Sequence, residues 1–215
     1  MSKLQLACDL VDLQTLRGLI PKLKEFVDVF EMGTPFCLRY GSETVAEIHR
    51  EFPDIVLLAD TKIFDGGEVE SKMYCDVGAR YVTVMSRTND ATIANCAKAC
   101  HESGAECVAD LMCESDLPSR VPELEALGAD ILAVHVAVDY YTKYGATPLS
   151  SLGELSGLVK STKTAVAGGI TLESLEDYLR YNPELIIVGS GILYHDDPVG
   201  MAERFAAKIR AWRVA

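Results

Sequence analysis

The chain has 215 residues, enough for one domain with a substantial core and near the lower bound for an eight-fold barrel. Hydrophobic residues at 49% and charged residues at 24% give the balance of a soluble globular protein. A net charge of -12 argues against nucleic-acid partners, whose phosphates reward clustered Lys and Arg, and the apolar runs are of strand length, too short to cross a membrane.

The opening MSKLQLACDL lacks the long apolar stretch of a secretory signal and reads as the start of a first strand, Leu4–Cys8. A cytoplasmic location is therefore expected. Asp9 stands at the end of that run. An amphipathic helix is predicted over Leu13–Phe26, with Leu13, Leu16, Leu19, Ile20 and Leu23 on one face, and Pro21 is expected to kink or split it. A second strand, Val27–Met32, carries Glu31 near its end. A third, Ile55–Ala59, runs into Asp60-Thr61-Lys62-Ile63-Phe64-Asp65-Gly66-Gly67, where alternation would set Asp60 and Lys62 on the same side. Further runs follow at Tyr81–Met85, Cys107–Met112, Ile131–Val136, Thr164–Ala167 and Leu185–Val188. Gly78, Gly104 and Gly128 close helical patterns ahead of the next strand, as C-terminal caps do, and Thr171-Leu172-Glu173-Ser174 is expected to cap and open a helix.

Eight near-continuous apolar runs describe strands covered on both faces, the mark of a parallel sheet. Successive strand ends fall 22 to 32 residues apart, which fits a strand, a helix and two short loops. The expected fold is a single α/β domain over residues 1–215, a (β/α)8 TIM barrel, with an open doubly wound sheet as the alternative. The seven cysteines include no CxxC pair, and although Cys96 and Cys100 share a helical face, they are read as small buried thiols in a reducing compartment.

Polar groups gather at the strand ends. Asp9, Glu31, Asp60, Asp110 and His135 each stand at or beside the carboxyl end of a run, and in a closed barrel those ends meet at one mouth. Four carboxylates together repel one another, and a divalent cation with a lysine offsets that economically. Lys62, lying in sequence between Asp60 and Asp65, would stay charged and could hold a developing oxyanion. His135 is the candidate proton carrier. Gly168-Gly169 after the seventh run and Gly189-Ser190-Gly191 after the eighth leave bare backbone amides in the two loops where such barrels often bind phosphate. His49 and His101 fall on predicted helices away from the mouth.

These residues resemble the orotidine 5′-monophosphate decarboxylase suprafamily through Asp60-x-Lys62-x-x-Asp65, and LQLACDL, VDVFEMGTPF, LLADTKIFDGGEVE, YVTVM, LAVHVAVD, VAGGI and IIVGSGI find counterparts in order. The resemblance is strongest to the 3-hexulose-6-phosphate synthase branch, then to the 3-keto-L-gulonate-6-phosphate decarboxylase branch. It implies that Glu31 and Asp60 bind Mg²⁺, that Asp9 and Lys62 hydrogen-bond the sugar oxygens, and that His135 is the acid/base. Asp110 falls where family members carry an acidic site residue, and Gly169, Gly189, Ser190 and Gly191 would hold the phosphate. The resemblance also implies a homodimer in which Asp65 reaches the neighbouring subunit's site.

The decarboxylase branch resembles a His-x-x-x-Arg arrangement after the histidine, whereas His135-Val136-Ala137-Val138-Asp139 has no arginine and places Asp139 as the synthases do. Where the family's last loop often carries a basic residue or a Gly-Gly pair, this chain has Ser190-Gly191, so phosphate would lean on backbone amides. The implied reaction is a reversible, Mg²⁺-dependent aldol condensation of ribulose 5-phosphate with formaldehyde through an enediolate. Decarboxylation of 3-keto-L-gulonate 6-phosphate and non-catalytic sugar-phosphate binding are the alternatives.

Overall fold

The computed structural model describes residues 2–212. Eight strands, β1 (Lys3–Cys8), β2 (Val29–Met32), β3 (Leu57–Ile63), β4 (Ala79–Met85), β5 (Glu106–Asp110), β6 (Ile131–His135), β7 (Lys163–Ala167) and β8 (Leu185–Val188), pair in parallel and in chain order. The sheet closes where Lys3 to Leu6 of β1 pair with Leu185 to Val188 of β8, which rules out the open alternative. The helices between and after them are α1 (Leu13–Leu23), α2 (Thr34–Glu51), α3 (Gly67–Cys75), α4 (Asp90–Glu102), α5 (Leu117–Ala126), α6 (Val138–Tyr144), α7 (Leu149–Leu158), α8 (Leu175–Leu179), α9 (Ser190–Leu193) and α10 (Pro198–Trp212). Among the described residues no helix is long and apolar enough to span a membrane.

The strands alternate between two cores. One face of each strand packs outward on the helices, with Leu4, Leu6, Phe30, Val82, Val84, Val134 and Ile186 among the buried residues. The other face fills the barrel, where Val29, Leu58, Tyr81, Val108, Ile131, Ala165 and Leu185 form a separate cluster. With the barrel plugged below by these side chains, the inward positions one and two steps further along each strand are where polar groups can meet water. Lys3 with Glu184 and Lys163 with Glu106, each pair at 2.7 Å, lie at the opposite, amino-terminal end.

Local chemistry departs from expectation at three places. Helix α1 is not split: it runs unbroken through Pro21, which sits in its last turn, and stops at Leu23, short of Phe26. The break falls instead in α2, at Gly41, whose φ of 71° interrupts the helical backbone. Thr171 and Ser174 bond to each other across a turn (Ser174 N to Thr171 Oγ1, 3.3 Å), and α8 starts only at Leu175, with no side-chain cap from Ser174. The small-thiol reading holds for Cys8, Cys37, Cys75, Cys96, Cys100 and Cys107, which are buried and free, while Cys113 is exposed.

The departure that matters most is in β3. The apolar run ends at Ala59 but the strand reaches Ile63, and the plain alternation expected for Asp60 and Lys62 is broken because its pairing with β4 slips on the way. Ala59 pairs with Val82 and Ile63 with Val84, so four steps along β3 match two along β4. Asp60-Thr61-Lys62 bows out of the ladder as a bulge, with Lys62 at a φ of 48°. Bulges of this kind re-aim side chains beside functional sites.

Candidate active site

The bulge delivers Asp60 and Lys62 to the mouth in contact. Lys62 Nζ lies 2.8 Å from Asp60 Oδ1 and 2.6 Å from Oδ2. Asp60 also accepts hydrogen bonds from Thr83 Oγ1 and Thr34 Oγ1, both at 2.8 Å, so its carboxylate is fixed from three elements. The second acid on Lys62 is Asp110, at the end of β5, whose Oδ2 stands 3.2 Å from Nζ. Burial alone would lower the Lys62 ammonium's pKa, but the charges of Asp60 and Asp110 and the bond to Asp60 raise it above its usual range.

Asp110 links Lys62 to His135. The same Oδ2 lies 3.0 Å from His135 Nδ1, and Oδ1 accepts the Met112 N–H at 2.8 Å. Burial would push the Asp110 carboxyl upward, yet the bond and charge of His135, with Lys62 and Met112, hold it below the ordinary carboxylate range. With Nδ1 turned to this carboxylate, Nε2 is the ring nitrogen left to exchange a proton with a ligand.

Glu31 occupies β2, buried beside Asp60, and its Oε2 accepts a 2.5 Å bond from Gln5 Nε2. Burial first and the charge of Asp60 second push its carboxyl up to about 8. Asp9 lies at the rim, against Gly33 and Gly189. Gly33 has an ordinary φ of -61°, so its glycine is needed for space, since a Cβ there would lie 2.1 Å from Asp9 Oδ1. Desolvation within the mouth and the charge of Asp60 raise the Asp9 carboxyl, against the opposing pull of Lys62 and His135.

Asp9, Glu31 and Asp60 thus crowd together with one lysine among them. Among the described residues no group of three or more His, Cys, Asp or Glu is placed to cage a metal ion. The donor set suits a hard divalent cation that is held by two carboxylates and keeps its other positions for water and ligand oxygens, as Mg²⁺ does.

The glycine loops after β7 and β8 meet at the mouth, the second of them against Asp9. Gly168 and Gly169, with φ of 119° and 65°, carry the chain from β7 to α8, and Gly189 caps α9. A Cβ on Gly191 would lie 3.3 Å from the Ile170 carbonyl, so the seventh and eighth loops pack directly on each other. Ser190 and Gly191 are exposed at this junction.

Two expected site residues stand apart within the chain. Asp65 is exposed in the turn before α3 and caps Gly66 N at 2.8 Å; the partner acids of Lys62 are Asp60 and Asp110 instead. Asp139 is exposed in the first turn of α6. Sequence reasoning passed over Gln5, Thr34 and Thr83. The signal was a polar residue inside an apolar run for Gln5 and Thr83, both nearly fully buried and facing the barrel.

Known proteins share this fold. Residues 2–205 match the family described as "Orotidine 5'-phosphate decarboxylase / HUMPS family". The chain is 35% identical to 3-hexulose-6-phosphate synthase 3 of Staphylococcus saprophyticus over 201 residues, covering 94% of this chain and 95% of that protein. It is likewise 35% identical to 3-hexulose-6-phosphate synthase of Staphylococcus aureus, covering 96% and 98%. Among solved structures, 3-hexulose-6-phosphate synthase from Salmonella typhimurium superposes with a TM-score of 0.94 at 39% identity, covering 98% of this chain and 99% of that one. A ligand complex of KGPDC from Streptococcus mutans shares the fold, with a TM-score of 0.90 at 24% identity over 98% of each chain.

Proposed function

The chain belongs to the orotidine 5′-phosphate decarboxylase / HUMPS family, and on that premise we propose that it condenses ribulose 5-phosphate with formaldehyde to 3-hexulose 6-phosphate, reversibly and with Mg²⁺. It is an enzyme, a carbon–carbon lyase. The observation that carries the substrate-level reading is the unbroken contact series Asp60, Lys62, Asp110, His135, which sets a fixed cation and a proton carrier around one point of the mouth.

In this reading the Gly168–Gly169 and Gly189–Gly191 loops take the phosphate through backbone amides. Asp9 and Lys62 bind sugar hydroxyl and carbonyl oxygens. His135 Nε2 removes a proton from C1, giving an enediolate whose negative oxygen is met by the Lys62 ammonium. The C1 carbanion then adds to the carbonyl carbon of formaldehyde, forming the new carbon–carbon bond, and the aldehyde oxygen takes up a proton. Glu31 and Asp60 would hold Mg²⁺, which when bound supplies Lewis-acid polarisation of the sugar oxygens. Asp110 keeps His135 in one tautomer and one orientation throughout.

A homodimer belongs to the same proposal. Asp65 bonds to the turn at Gly66 rather than to its own Lys62, and the surface around it is apolar: Phe64 is 61% exposed, Val69 68% and Met73 52%. An apolar face of this kind at α3 suits a self-complementary contact that would carry Asp65 into the second subunit's mouth.

The test is a Mg²⁺-dependent assay of the purified protein with ribulose 5-phosphate and formaldehyde, run beside a CO₂ assay on 3-keto-L-gulonate 6-phosphate. Formaldehyde consumption that stops with EDTA and in Asp60→Ala is the expected result. CO₂ release without formaldehyde consumption would assign the decarboxylase chemistry instead.

A further inference from the structure

Thr83 is one of the few buried polar residues facing the barrel interior, and it is placed against the β3 bulge. Its hydroxyl accepts the main-chain N–H of Lys62 at 2.9 Å and donates to Asp60 Oδ1 at 2.8 Å. Its carbonyl accepts the Thr61 hydroxyl at 3.1 Å. One residue of β4 therefore binds all three residues that leave the ladder between Ala59 and Ile63.

We propose that Thr83 is a positioning residue for the reaction, holding Lys62 in its left-handed backbone conformation and Asp60 in its rotamer so that the ammonium stands between Asp60 and Asp110. The inference rests on the reading of Lys62 as the group that meets the developing oxyanion. Its physical basis is the loss of ladder pairing. Once the bulge removes Lys62 N–H from the sheet, that buried donor needs another acceptor. The Thr83 hydroxyl supplies it, and because the oxygen is accepting there, its single proton is directed to Asp60. The hydroxyl thus ties the main chain of one functional residue to the carboxylate of the other. A non-glycine residue at φ 48° persists only where its surroundings over-determine it, and these bonds are the local determinants.

Thr83→Val keeps the volume and removes the hydroxyl, and Thr83→Ser keeps the hydroxyl. For the synthase reaction, kcat of Thr83→Val is expected to fall between about tenfold and a hundredfold, because displacing a reacting group by about an ångström has costs of that order. KM for ribulose 5-phosphate should stay within about threefold, since the phosphate loops and Asp9 still hold the ground state, and Thr83→Ser should restore kcat to within about threefold of wild type. A purely structural role would lower the melting temperature of Thr83→Val without this split between kcat and KM. Crystal structures of both variants give a readout that needs no turnover: in Thr83→Val, Lys62 leaves its positive φ and Nζ moves away from Asp110, and in Thr83→Ser neither changes. Should wild type turn over neither sugar phosphate, the reaction reading fails while the structures still decide the positioning. Wild-type kcat in Thr83→Val, or an unmoved Lys62 in its crystal structure, would overturn the proposal.

Discussion

Asp110 Oδ2 sits 3.0 Å from His135 Nδ1 and, on its other side, 3.2 Å from Lys62 Nζ. Removing that charge should therefore disturb two functional groups at once. Asp110→Asn keeps the shape but offers either an oxygen to both donors or an amide that repels one of them. It also frees His135 to choose the other tautomer. Exchange of the C1 proton of ribulose 5-phosphate in D₂O, followed by NMR without formaldehyde, isolates the step. The expected loss is on the order of 10² to 10⁴ for His135→Ala, the usual worth of a positioned acid or base, and of similar order for Asp110→Asn. Exchange at the wild-type rate in Asp110→Asn would remove the carboxylate from the proton-transfer machinery.

A second expectation concerns Glu31. Burial and the neighbouring Asp60 push its carboxyl up to about 8, so near neutrality, without a cation, it is mostly protonated. A divalent cation must displace that proton. Mg²⁺ affinity should then rise with pH up to about 8 and level off above it, with protons released on binding below that point. Because the folded-state value lies above the unfolded one, the empty site should cost stability as pH climbs from the ordinary glutamate range toward 8, and Mg²⁺ should restore it. Calorimetric titrations in buffers of different ionisation enthalpy measure the proton release directly. Affinity independent of pH, or Glu31→Gln binding Mg²⁺ as wild type does, would place the cation elsewhere.

How much of this was visible in the sequence follows from how local each feature is. The eight strands and their order were legible because parallel barrel strands are apolar on both faces, and the carboxyl ends of the runs carried Asp60, Asp110 and His135 directly. The partnership of Lys62 was not legible. Its sequence neighbours suggested Asp60 and Asp65, but the second acid is Asp110, brought in by β5 across the intervening β4. The bulge was equally hidden, since nothing inside Ala59–Ile63 announces a slip that is held by a threonine of the next strand. Thr171 misled for the opposite reason: its local turn chemistry is real, but it closes a turn and leaves the helix to start later.

The amino-terminal end of the barrel offers a stability test independent of the site. Glu125 Oε1 accepts the N–H groups of Lys160, Ser161 and Thr162, between 2.8 and 3.1 Å, and the Thr162 hydroxyl at 3.0 Å. Partial burial opposes ionisation, but these four donors hold the carboxyl down to about 2. The folded value lies below the unfolded one, so the stabilisation is full above about pH 4.5 and is lost as pH falls toward 2. Glu125→Gln should cost about 1–2 kcal/mol at neutral pH, less than the pKa difference alone would give because the group is partly exposed to solvent. Urea unfolding at pH 7 and pH 3 measures it, with the gap between wild type and variant expected to shrink at the lower pH.

The last test separates one subunit from two. Within its own chain Asp65 is exposed and caps the α3 turn, while Lys62 is already held by Asp60 and Asp110. If Asp65 serves a neighbouring mouth, Lys62→Ala and Asp65→Ala should each be nearly inactive alone yet complement each other when co-expressed. A mixed dimer then has one site with both defects and one with neither. Random pairing makes half the dimers mixed, so activity should return to about a quarter of wild type for a two-fold symmetric dimer with shared sites. Complementation near zero, with the mixed species confirmed by native mass spectrometry, would confine Asp65 to its own chain. Loss of dimer in Met73→Asp with activity intact would go further, removing the need for a second subunit altogether.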